Sequence, residues 1–192
     1  MRDVAGMSVL VTGGGSGIGA GTARYFATRG ARVTICGRRR EKLAAVAASI
    51  GSACHFVEGD ITVGADRECI IASAVEHGSG LHALINNAGN MYRGPITALD
   101  EQQLLNIFHS NVVAAMLLTG LATPHLARTQ GSVVFLGSVH VRRAFPGASP
   151  YAATKGAIEV LTRVLAAELG AQRIRVNCVV PGAVFTDINQ RA

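Results

Sequence analysis

The chain has 192 residues, of which 49% are hydrophobic and 16% are charged. At roughly 150 residues per domain, this length predicts one domain spanning residues 1–192, and the hydrophobic content excludes a disordered tail. The four cysteines are far apart and form no C-x-x-C or zinc-binding spacing, which predicts reduced thiols in a cytoplasmic protein. The net charge of +6 arises mostly from scattered arginines, so we expect a solvated surface and no nucleic-acid partner.

The sequence predicts neither a leader nor a membrane segment. Residues 1–12 contain one early arginine and a short apolar run, without the hydrophobic region of a signal peptide. The longest apolar stretch, around 112–122, is shorter than the roughly 18 to 20 residues needed to cross a bilayer. The six histidines have no metal-binding spacing, so we expect no metal site.

Short apolar, β-branched runs alternate with longer Ala- and Leu-rich stretches of helical period. The predicted strands are 8–12, 32–36, 55–57, 81–86, 132–136 and 174–180. The predicted helices are 17–29, 39–50, 65–77, 100–128 and 151–169, with Pro124 expected to kink or end the fourth. Strands without polar alternation are typical of a parallel sheet that helices cover on both faces. The pattern therefore predicts an α/β protein with a doubly wound, six-stranded parallel sheet, the Rossmann fold.

A glycine-rich segment, T-G-G-G-S-G-I-G at 12–19, follows the first predicted strand and opens the first predicted helix. In doubly wound sheets, ligands bind beyond the carboxyl ends of the strands. Backbone N–H groups of such a turn can hold a pyrophosphate, because glycine permits positive φ and close approach. The residues predicted to do so are Gly13, Ser16, Gly17, Ile18 and Gly19. A tight turn without a ligand is the alternative.

Three consecutive arginines, Arg38 to Arg40, follow the second predicted strand. Dinucleotide-binding folds that prefer NAD place an acidic residue there for the ribose hydroxyls, whereas this chain has Gly37. An arginine fork suits a 2′-phosphate, so Arg38 and Arg39 predict NADP as the cofactor, with NAD less favoured. The alternative is a solvated basic start to a helix, which the helix dipole disfavours.

Tyr151 and Lys155 lie four residues apart, which places a phenol and an ammonium on one face of a predicted helix. To exchange protons near neutral pH, a phenol with an ordinary pKa of about 10 must become more acidic by roughly 4 kcal/mol. One ammonium about 4 Å away, at an effective dielectric of about 20, supplies about that amount. The pair therefore predicts a catalytic acid/base, and a surface pair without function is the alternative.

Two polar residues accompany this pair. Ser138 follows the fifth predicted strand, where its hydroxyl is able to bond a substrate oxygen or simply to form a turn. Asn111 lies inside the fourth predicted helix among apolar residues, where asparagine is a poor helix former. Its amide either orders a water behind Lys155 or bonds a neighbouring helix as a core amide.

Together these motifs resemble the short-chain dehydrogenase/reductase family over essentially the whole chain. The matching features are the loop at 12–19, Asp60 after the third strand, N-N-A-G at 86–89, a tetrad at Asn111, Ser138, Tyr151 and Lys155, and P-G-x-x-x-T at 181–186. The resemblance implies a Rossmann fold and a nicotinamide-dependent oxidoreductase. Each matching residue then has an implied role.

By this resemblance, three groups of residues would hold the cofactor and four would carry the chemistry. The cofactor groups are Asp60 and Ile61 at the adenine, Asn87, Ala88 and Gly89 supporting the sheet and cofactor, and Pro181, Gly182, Val184 and Thr186 at the nicotinamide. Tyr151 would be the acid/base, and Lys155 would bind the nicotinamide ribose and lower the pKa of Tyr151. Ser138 would polarise the carbonyl, and Asn111 would maintain a proton relay through water.

The match ends before the segments that follow P-G-x-x-x-T in the family, namely a helical substrate lid, another helix and a further strand. The chain stops at Ala192, so we expect the lid and the last strand to be missing. His140, Arg142 and Arg143 lie between Ser138 and Tyr151, where relatives have substrate-facing residues. We interpret them as solvated loop charges, with contact to an anionic substrate as the alternative.

The motifs predict an NADP(H)-dependent oxidoreductase that interconverts a carbonyl and a secondary alcohol, similar to a 3-oxoacyl reductase or another ketoreductase. A non-catalytic nucleotide-binding module, or an inactive fragment, is the alternative because the lid is expected to be absent. The fourth and fifth long helices carry apolar residues on more than one face, and relatives pair these helices between subunits. We therefore expect a homodimer through them, with a small carbonyl or alcohol as substrate.

Overall fold

Six parallel strands form one sheet in the computed structural model, which describes residues 3–184 and 186. The strands are β1 (Ser8–Thr12), β2 (Arg32–Gly37), β3 (Cys54–Glu58), β4 (Ala83–Asn86), β5 (Ser132–Leu136) and β6 (Arg175–Val179). Their spatial order is β3-β2-β1-β4-β5-β6, and every neighbouring pair is parallel. The predicted doubly wound sheet is confirmed, with strand ends shifted by one or two residues.

Helices connect the strands across both faces of the sheet. They are α1 (Gly17–Ala27), α2 (Arg40–Ile50), α3 (Gly64–Gly78), α4 (Glu101–Phe108), α5 (Ala114–Thr129) and α6 (Ser149–Gly170). A π-helical turn, His109–Val113, separates α4 from α5 within the fourth predicted helix. Pro124 lies inside α5, which continues to Thr129, so the expectation that proline might end this helix is wrong.

The core has two layers, one on each face of the sheet. Leu10 belongs to the cluster that packs against α3, α5 and α6, whereas Val9 and Val11 belong to the cluster under α1 and α2. Successive strand residues point to opposite faces, so a run of apolar residues in β1 supplies both layers. Phe135 of β5 is fully buried in the first cluster, where a side chain of this size contributes roughly 1.5 to 3 kcal/mol by burial.

Residues Glu101–Thr129 form one continuous helix of 29 residues. By length and composition alone, this helix meets the criterion for crossing a membrane, a criterion that a core helix of a soluble protein also meets. The expectation from the stretch 112–122 that no segment reaches spanning length is therefore wrong. Buried residues of this helix, among them Leu118 and Leu126, pack in the first core cluster.

The strand order reverses between β1 and β4, which lie side by side at the centre of the sheet. Their register pairs Val9 with Ala83 and Val11 with Ile85, so the two strands end next to each other. In open α/β sheets, this reversal is where the loops diverge and leave a crevice for ligands. The segments after β1 and β4 therefore frame the site described below.

Candidate active site at the carboxyl edge of the sheet

Thr12 and Asn87 join the ends of β1 and β4, and we call this pair the Thr12–Asn87 junction. The Thr12 hydroxyl accepts the backbone N–H groups of Asn87, at 3.0 Å, and Ala88, at 2.9 Å. The Asn87 amide donates in return to the carbonyl oxygens of Thr12, at 2.8 Å, and Gly13, at 3.2 Å. Because Thr12 is fully buried, its hydroxyl and carbonyl oxygens find these hydrogen-bond donors within the protein, where water does not reach them.

The glycine-rich loop starts at this junction. Gly13 has φ +66° and Gly17 has φ +52°, a region of backbone conformation that side chains disfavour. A Cβ at Gly19 would lie 2.6 Å from the Asn87 amide nitrogen, so only glycine fits there. Ser16 precedes α1 without a side-chain cap, which leaves the first N–H groups of that helix directed towards a ligand. The loop therefore has the shape expected of a pyrophosphate cradle.

Thr186 contributes to this cradle from the other end of the chain. A Cβ at Gly17 would lie 2.9 Å from the Thr186 methyl carbon, so the two residues are in close contact. The carbonyl oxygen of Pro181 accepts the N–H of Val139 at 3.1 Å, which ties the start of this segment to the loop after β5. Gly182 and Val184 are exposed. Residues 181–184 and 186 of the predicted segment thus lie between the glycine-rich loop and Ser138.

The three arginines have separate partners. Arg38 lies 3.7 Å from the carboxylate of Asp60, and Arg40 lies 3.7 Å from that of Glu58. Arg39 donates to the Ser16 hydroxyl at 3.0 Å, which brings its guanidinium to the glycine-rich loop. Two of the three positive groups are therefore at the crevice, while Arg40 is turned towards β3.

Asp60 and Ile61 occupy the end of β3 in different ways. Burial raises the pKa of Asp60, but hydrogen bonds from Thr62 and the positive charges of Arg38 and His109 outweigh it and leave this pKa below its usual value. The carboxylate accepts both the N–H, at 2.9 Å, and the hydroxyl, at 2.8 Å, of Thr62. Ile61 is buried in the first core cluster, so its side chain anchors the segment after β3 to the core.

The Asn111 amide is fully engaged by protein groups. Its oxygen accepts the N–H of Asn90 at 2.7 Å and the Ser110 hydroxyl at 3.2 Å. Its nitrogen donates to the carbonyl of Asn90 at 2.9 Å and to the Thr154 hydroxyl at 3.1 Å. All four hydrogen-bonding positions of the amide are used, so of the two alternatives the structure favours a core amide bonded to a neighbouring helix. The proton relay through water that the resemblance implies stays a prediction.

These bonds give Asn111 a structural role at the centre of the site. It lies in the π-helical turn and links that turn to the loop after β4 and to α6. Gly89 packs against it, since a Cβ at Gly89 would lie 3.1 Å from the amide oxygen. π-helical turns are frequent at functional sites because they displace backbone groups from the regular helical ladder.

Lys155 is a buried cation. Its side-chain nitrogen donates to the carbonyl oxygen of Leu136, at the end of β5, over 2.6 Å. Burial lowers the pKa of Lys155 to about 8, against an opposing effect of Cys178. The amine is therefore still largely charged at neutral pH.

Tyr151 lies one helical turn before this cation, and its ring centre is 5.7 Å from the Lys155 nitrogen. Burial raises the pKa of Tyr151, while the Ser138 hydroxyl and the charge of Arg93 oppose that rise. We expected Lys155 to lower the pKa of this phenol. In the protein without cofactor, the pKa is raised instead, because desolvation has the largest effect on it. The phenol is protonated at neutral pH.

Ser138 lies at the end of β5 and is buried beside Tyr151. Its oxygen is 3.0 Å from Nδ1 of His140 and also accepts the backbone N–H of His140 at 3.3 Å. His140 is half-buried, which corrects its interpretation as a solvated loop charge. Arg142, by contrast, is exposed and lies 3.8 Å from Glu159.

Several residues of this site were missed in the sequence. Asn90 and Thr154 hold Asn111, and Arg93 acts on the pKa of both Tyr151 and His140. Asn90 and Arg93 follow β4 closely, so their place at the carboxyl edge was a usable signal. Thr154 lies between the catalytic candidates and carries no such signal. Within the described residues, no group of three metal-binding side chains lies together.

Comparisons with known proteins define the class of this chain. A family model described as short chain dehydrogenase matches residues 7–192. The L-fucose dehydrogenase of Bos taurus is 34% identical over 187 residues, which are 96% of this chain and 68% of that protein. The glucose 1-dehydrogenase of Gluconobacter oxydans is 34% identical over 191 residues, 96% of this chain and 72% of that protein.

A solved structure is similar over nearly the whole chain. The 3-ketoacyl-(acyl-carrier-protein) reductase of Brucella melitensis, complexed with NADH, superposes with a TM-score of 0.93 at 29% identity. The superposition covers 97% of this chain and 80% of the reductase. The protein is thus an α/β protein of the oxidoreductase class with a Rossmann-like fold, and it belongs to the short-chain dehydrogenase family. It is shorter than these relatives.

The buried cation makes stability depend on pH in a predictable direction. The pKa of Lys155 is about 8 in the folded chain and about 10.4 in an unfolded one, so the unfolded chain binds more protons between these values. The free energy of unfolding attributable to Lys155 is constant below about pH 7, begins to rise as the pH approaches 8, and increases by about 1.5 kcal/mol from pH 8 to pH 9.5. Urea unfolding at a series of pH values measures the free energy of unfolding of the wild type and of Lys155→Met. The difference between the two proteins gives the contribution of Lys155. Parallel pH curves for the two proteins would contradict the assignment.

Proposed function

We propose that this protein is an NADP(H)-dependent oxidoreductase that interconverts a carbonyl and a secondary alcohol, with Tyr151 as the acid/base. The observation that carries the proposal is the meeting of Tyr151, Lys155 and Ser138 at the carboxyl end of β5. The Lys155 nitrogen is bonded to Leu136, two residues before Ser138, and Ser138 acts on the pKa of Tyr151. Membership of the short-chain dehydrogenase family supports the same class of reaction.

The crevice between β1 and β4 fits a dinucleotide. Gly13 and Gly17 adopt positive φ, and the uncapped start of α1 offers N–H groups for a pyrophosphate. We assign the adenine end to Asp60 and the nicotinamide end to Thr186, which contacts Gly17. When bound, the nicotinamide ring supplies or accepts the hydride.

The residues around the phenol suit proton donation in the reducing direction. Burial raises the pKa of Tyr151, so its proton is in place at neutral pH to reach a carbonyl oxygen. Ser138 is positioned to bond the same oxygen, as a donor for the charge that develops on it. The Lys155 ammonium, buried 5.7 Å from the ring centre, stabilises the phenolate that remains.

Positive charge at the adenine end supports NADP rather than NAD as the cofactor. Gly37 ends β2 where an acidic residue would repel a phosphate, and Arg38 and Arg39 follow it. Arg39 reaches Ser16 on the glycine-rich loop, so its guanidinium lies close to the crevice that a 2′-phosphate would enter. The similar reductase of Brucella melitensis is described as a complex with NADH, so this preference belongs to the proposal alone.

We further propose that the protein is a cytoplasmic homodimer. We also propose that it acts on a small carbonyl or alcohol, as the names of the similar dehydrogenases suggest. Large apolar side chains lie exposed along α4, the π-helical turn, α5 and α6, the segments expected at the subunit contact. They are Leu105, Phe108, Val113, Met116, Leu117, Leu121, Val160 and Val164. Burying them would remove an unusually apolar surface from water. A monomeric mass in light scattering would contradict the dimer.

Removing the phenol hydroxyl separates catalysis from cofactor binding. Tyr151→Phe should lower the turnover of a panel of ketones, sugars and ketoacyl thioesters at least 1000-fold, because the proton donor is lost. The NADPH dissociation constant, measured by fluorescence, should change less than threefold. Retained turnover would remove Tyr151 from its role. NADPH binding by the wild type without turnover of any panel member would favour the non-catalytic nucleotide-binding module.

Charge reversal tests the cofactor preference. Arg38→Asp and Arg39→Asp should each lower the ratio of NADPH to NADH affinity by about tenfold or more, equivalent to about 1.4 kcal/mol, since a carboxylate repels the 2′-phosphate. Arg40→Asp makes the same change in net charge beside Glu58 and serves as the matched control. An unchanged ratio in the first two variants, or an equal change in the third, would refute the phosphate assignment.

A further inference from the structure

His140 has no role in the reaction described so far, yet it touches two of its residues. Nδ1 of its ring lies 3.0 Å from the Ser138 oxygen, and its backbone N–H donates to the same oxygen at 3.3 Å. Its ring meets the Tyr151 ring edge to face, with centres 5.2 Å apart. The ring of Phe145 covers the other side, at 4.3 Å between centres. The imidazole is therefore held in one orientation.

The surroundings of this ring decide which of its nitrogens carries the proton. Burial lowers the pKa of His140, and the charge of Arg93 lowers it further, so the ring is neutral at neutral pH. Nε2 is buried and has no hydrogen-bond partner among the described residues. A buried N–H without an acceptor is costlier than a buried lone pair without a donor. The proton therefore belongs on Nδ1, and Nδ1–H donates to Ser138.

This arrangement has a consequence for the Ser138 hydroxyl. A serine oxygen has two lone pairs and one proton. The ring N–H and the backbone N–H of His140 occupy both lone pairs, so the Ser138 hydroxyl is left to act only as a donor. Its effect in lowering the pKa of Tyr151 fits donation towards the phenolic oxygen, where a substrate oxygen would also bind.

We propose that His140 is a positioning residue that fixes the Ser138 hydroxyl as a hydrogen-bond donor to the substrate oxygen. This inference rests on the proposed function, because Ser138 polarises a carbonyl only if the chain reduces one. The alternative arrangement has Nδ1 accepting the Ser138 proton, which would withdraw that proton from the substrate. The two arrangements differ in the tautomer of one ring.

The two arrangements also differ in their response to acid. The charged group that acts on this ring is Arg93, from the loop after β4, and Arg142 of its own loop is paired with Glu159. The titratable phenol of Tyr151, on α6, contacts the ring edge to face and is neutral at neutral pH. Protonation of His140 leaves Nδ1–H in place, so donation to Ser138 survives at low pH. If Nδ1 instead accepted the serine proton, protonation of the ring would turn Nδ1 into a donor and release the serine proton to the substrate. Turnover would then rise towards low pH, which adds an acid limb of increasing turnover to the profile.

The tautomer is read in the protein without cofactor or substrate. Nitrogen-15 NMR of histidine-labelled wild-type protein, assigned with His140→Asn, should show a neutral ring with the proton on Nδ1. A ring with the proton on Nε2 would overturn the proposal whether or not the chain has activity. This measurement therefore separates a failure of the inference from a failure of the proposed function.

Kinetics tests the consequence for the reaction. His140→Leu removes the ring N–H and should lower kcat about 10- to 100-fold, with the NADPH dissociation constant within twofold of wild type. His140→Asn places an amide N–H near the position of Nδ1 and should restore kcat to within about threefold, with no acid limb from residue 140. His125→Leu, on α5, is the matched control and should behave as wild type.

Each kinetic outcome has one meaning. Full kcat in His140→Leu would overturn the positioning role while leaving the proposed function intact. Equal losses in His140→Leu and His140→Asn would assign the residue to packing and overturn it as well. An acid limb in the wild type that disappears in His140→Asn would show that Nδ1 accepts the serine proton, which contradicts the proposal.

Discussion

The buried hydroxyl of Thr12 is the interaction on which the site depends. It accepts two backbone N–H groups from the segment after β4, while the Asn87 amide donates back to the segment after β1. The strand order reverses here, and the backbone groups of the two diverging segments would otherwise be unsatisfied. Because these hydrogen bonds link the two segments, the crevice between them has a defined shape. The Gly13 carbonyl, at the start of the glycine-rich loop, is one of the acceptors of the Asn87 amide. The junction therefore fixes the position at which this loop begins.

The chemistry at β5 follows from burial on the same edge. Desolvation raises the pKa of Tyr151 and lowers that of Lys155, so at neutral pH the chain alone holds a protonated phenol beside a largely charged amine. The shift of Lys155 costs stability at neutral pH because burial disfavours the charged amine, and the Leu136 carbonyl bonded to Lys155 offsets part of this cost. Shifted pKa values of this kind are typical of functional sites.

The sheet was predictable because each strand is a continuous apolar run, and the glycine-rich loop because its spacing follows a strand. The π-helical turn was not, since a shift of hydrogen-bond register leaves no mark in composition. For the same reason, the sequence alone did not decide whether the Asn111 amide orders a water or bonds a neighbouring helix. The effect of Arg93 and the burial of His140 arise from loops folding over the site, which local patterns do not report.

We propose that the Thr12–Asn87 junction holds the crevice in the form that would bind the cofactor. Thr12→Val keeps the shape of the side chain but leaves the N–H groups of Asn87 and Ala88 without an acceptor. Thr12→Ser retains the hydroxyl oxygen that accepts both N–H groups. We predict that Thr12→Val lowers the free energy of unfolding by about 2 kcal/mol or more and weakens NADPH binding at least tenfold, with Thr12→Ser close to wild type. Unchanged stability and NADPH affinity in Thr12→Val would show that the crevice does not depend on the Thr12–Asn87 junction.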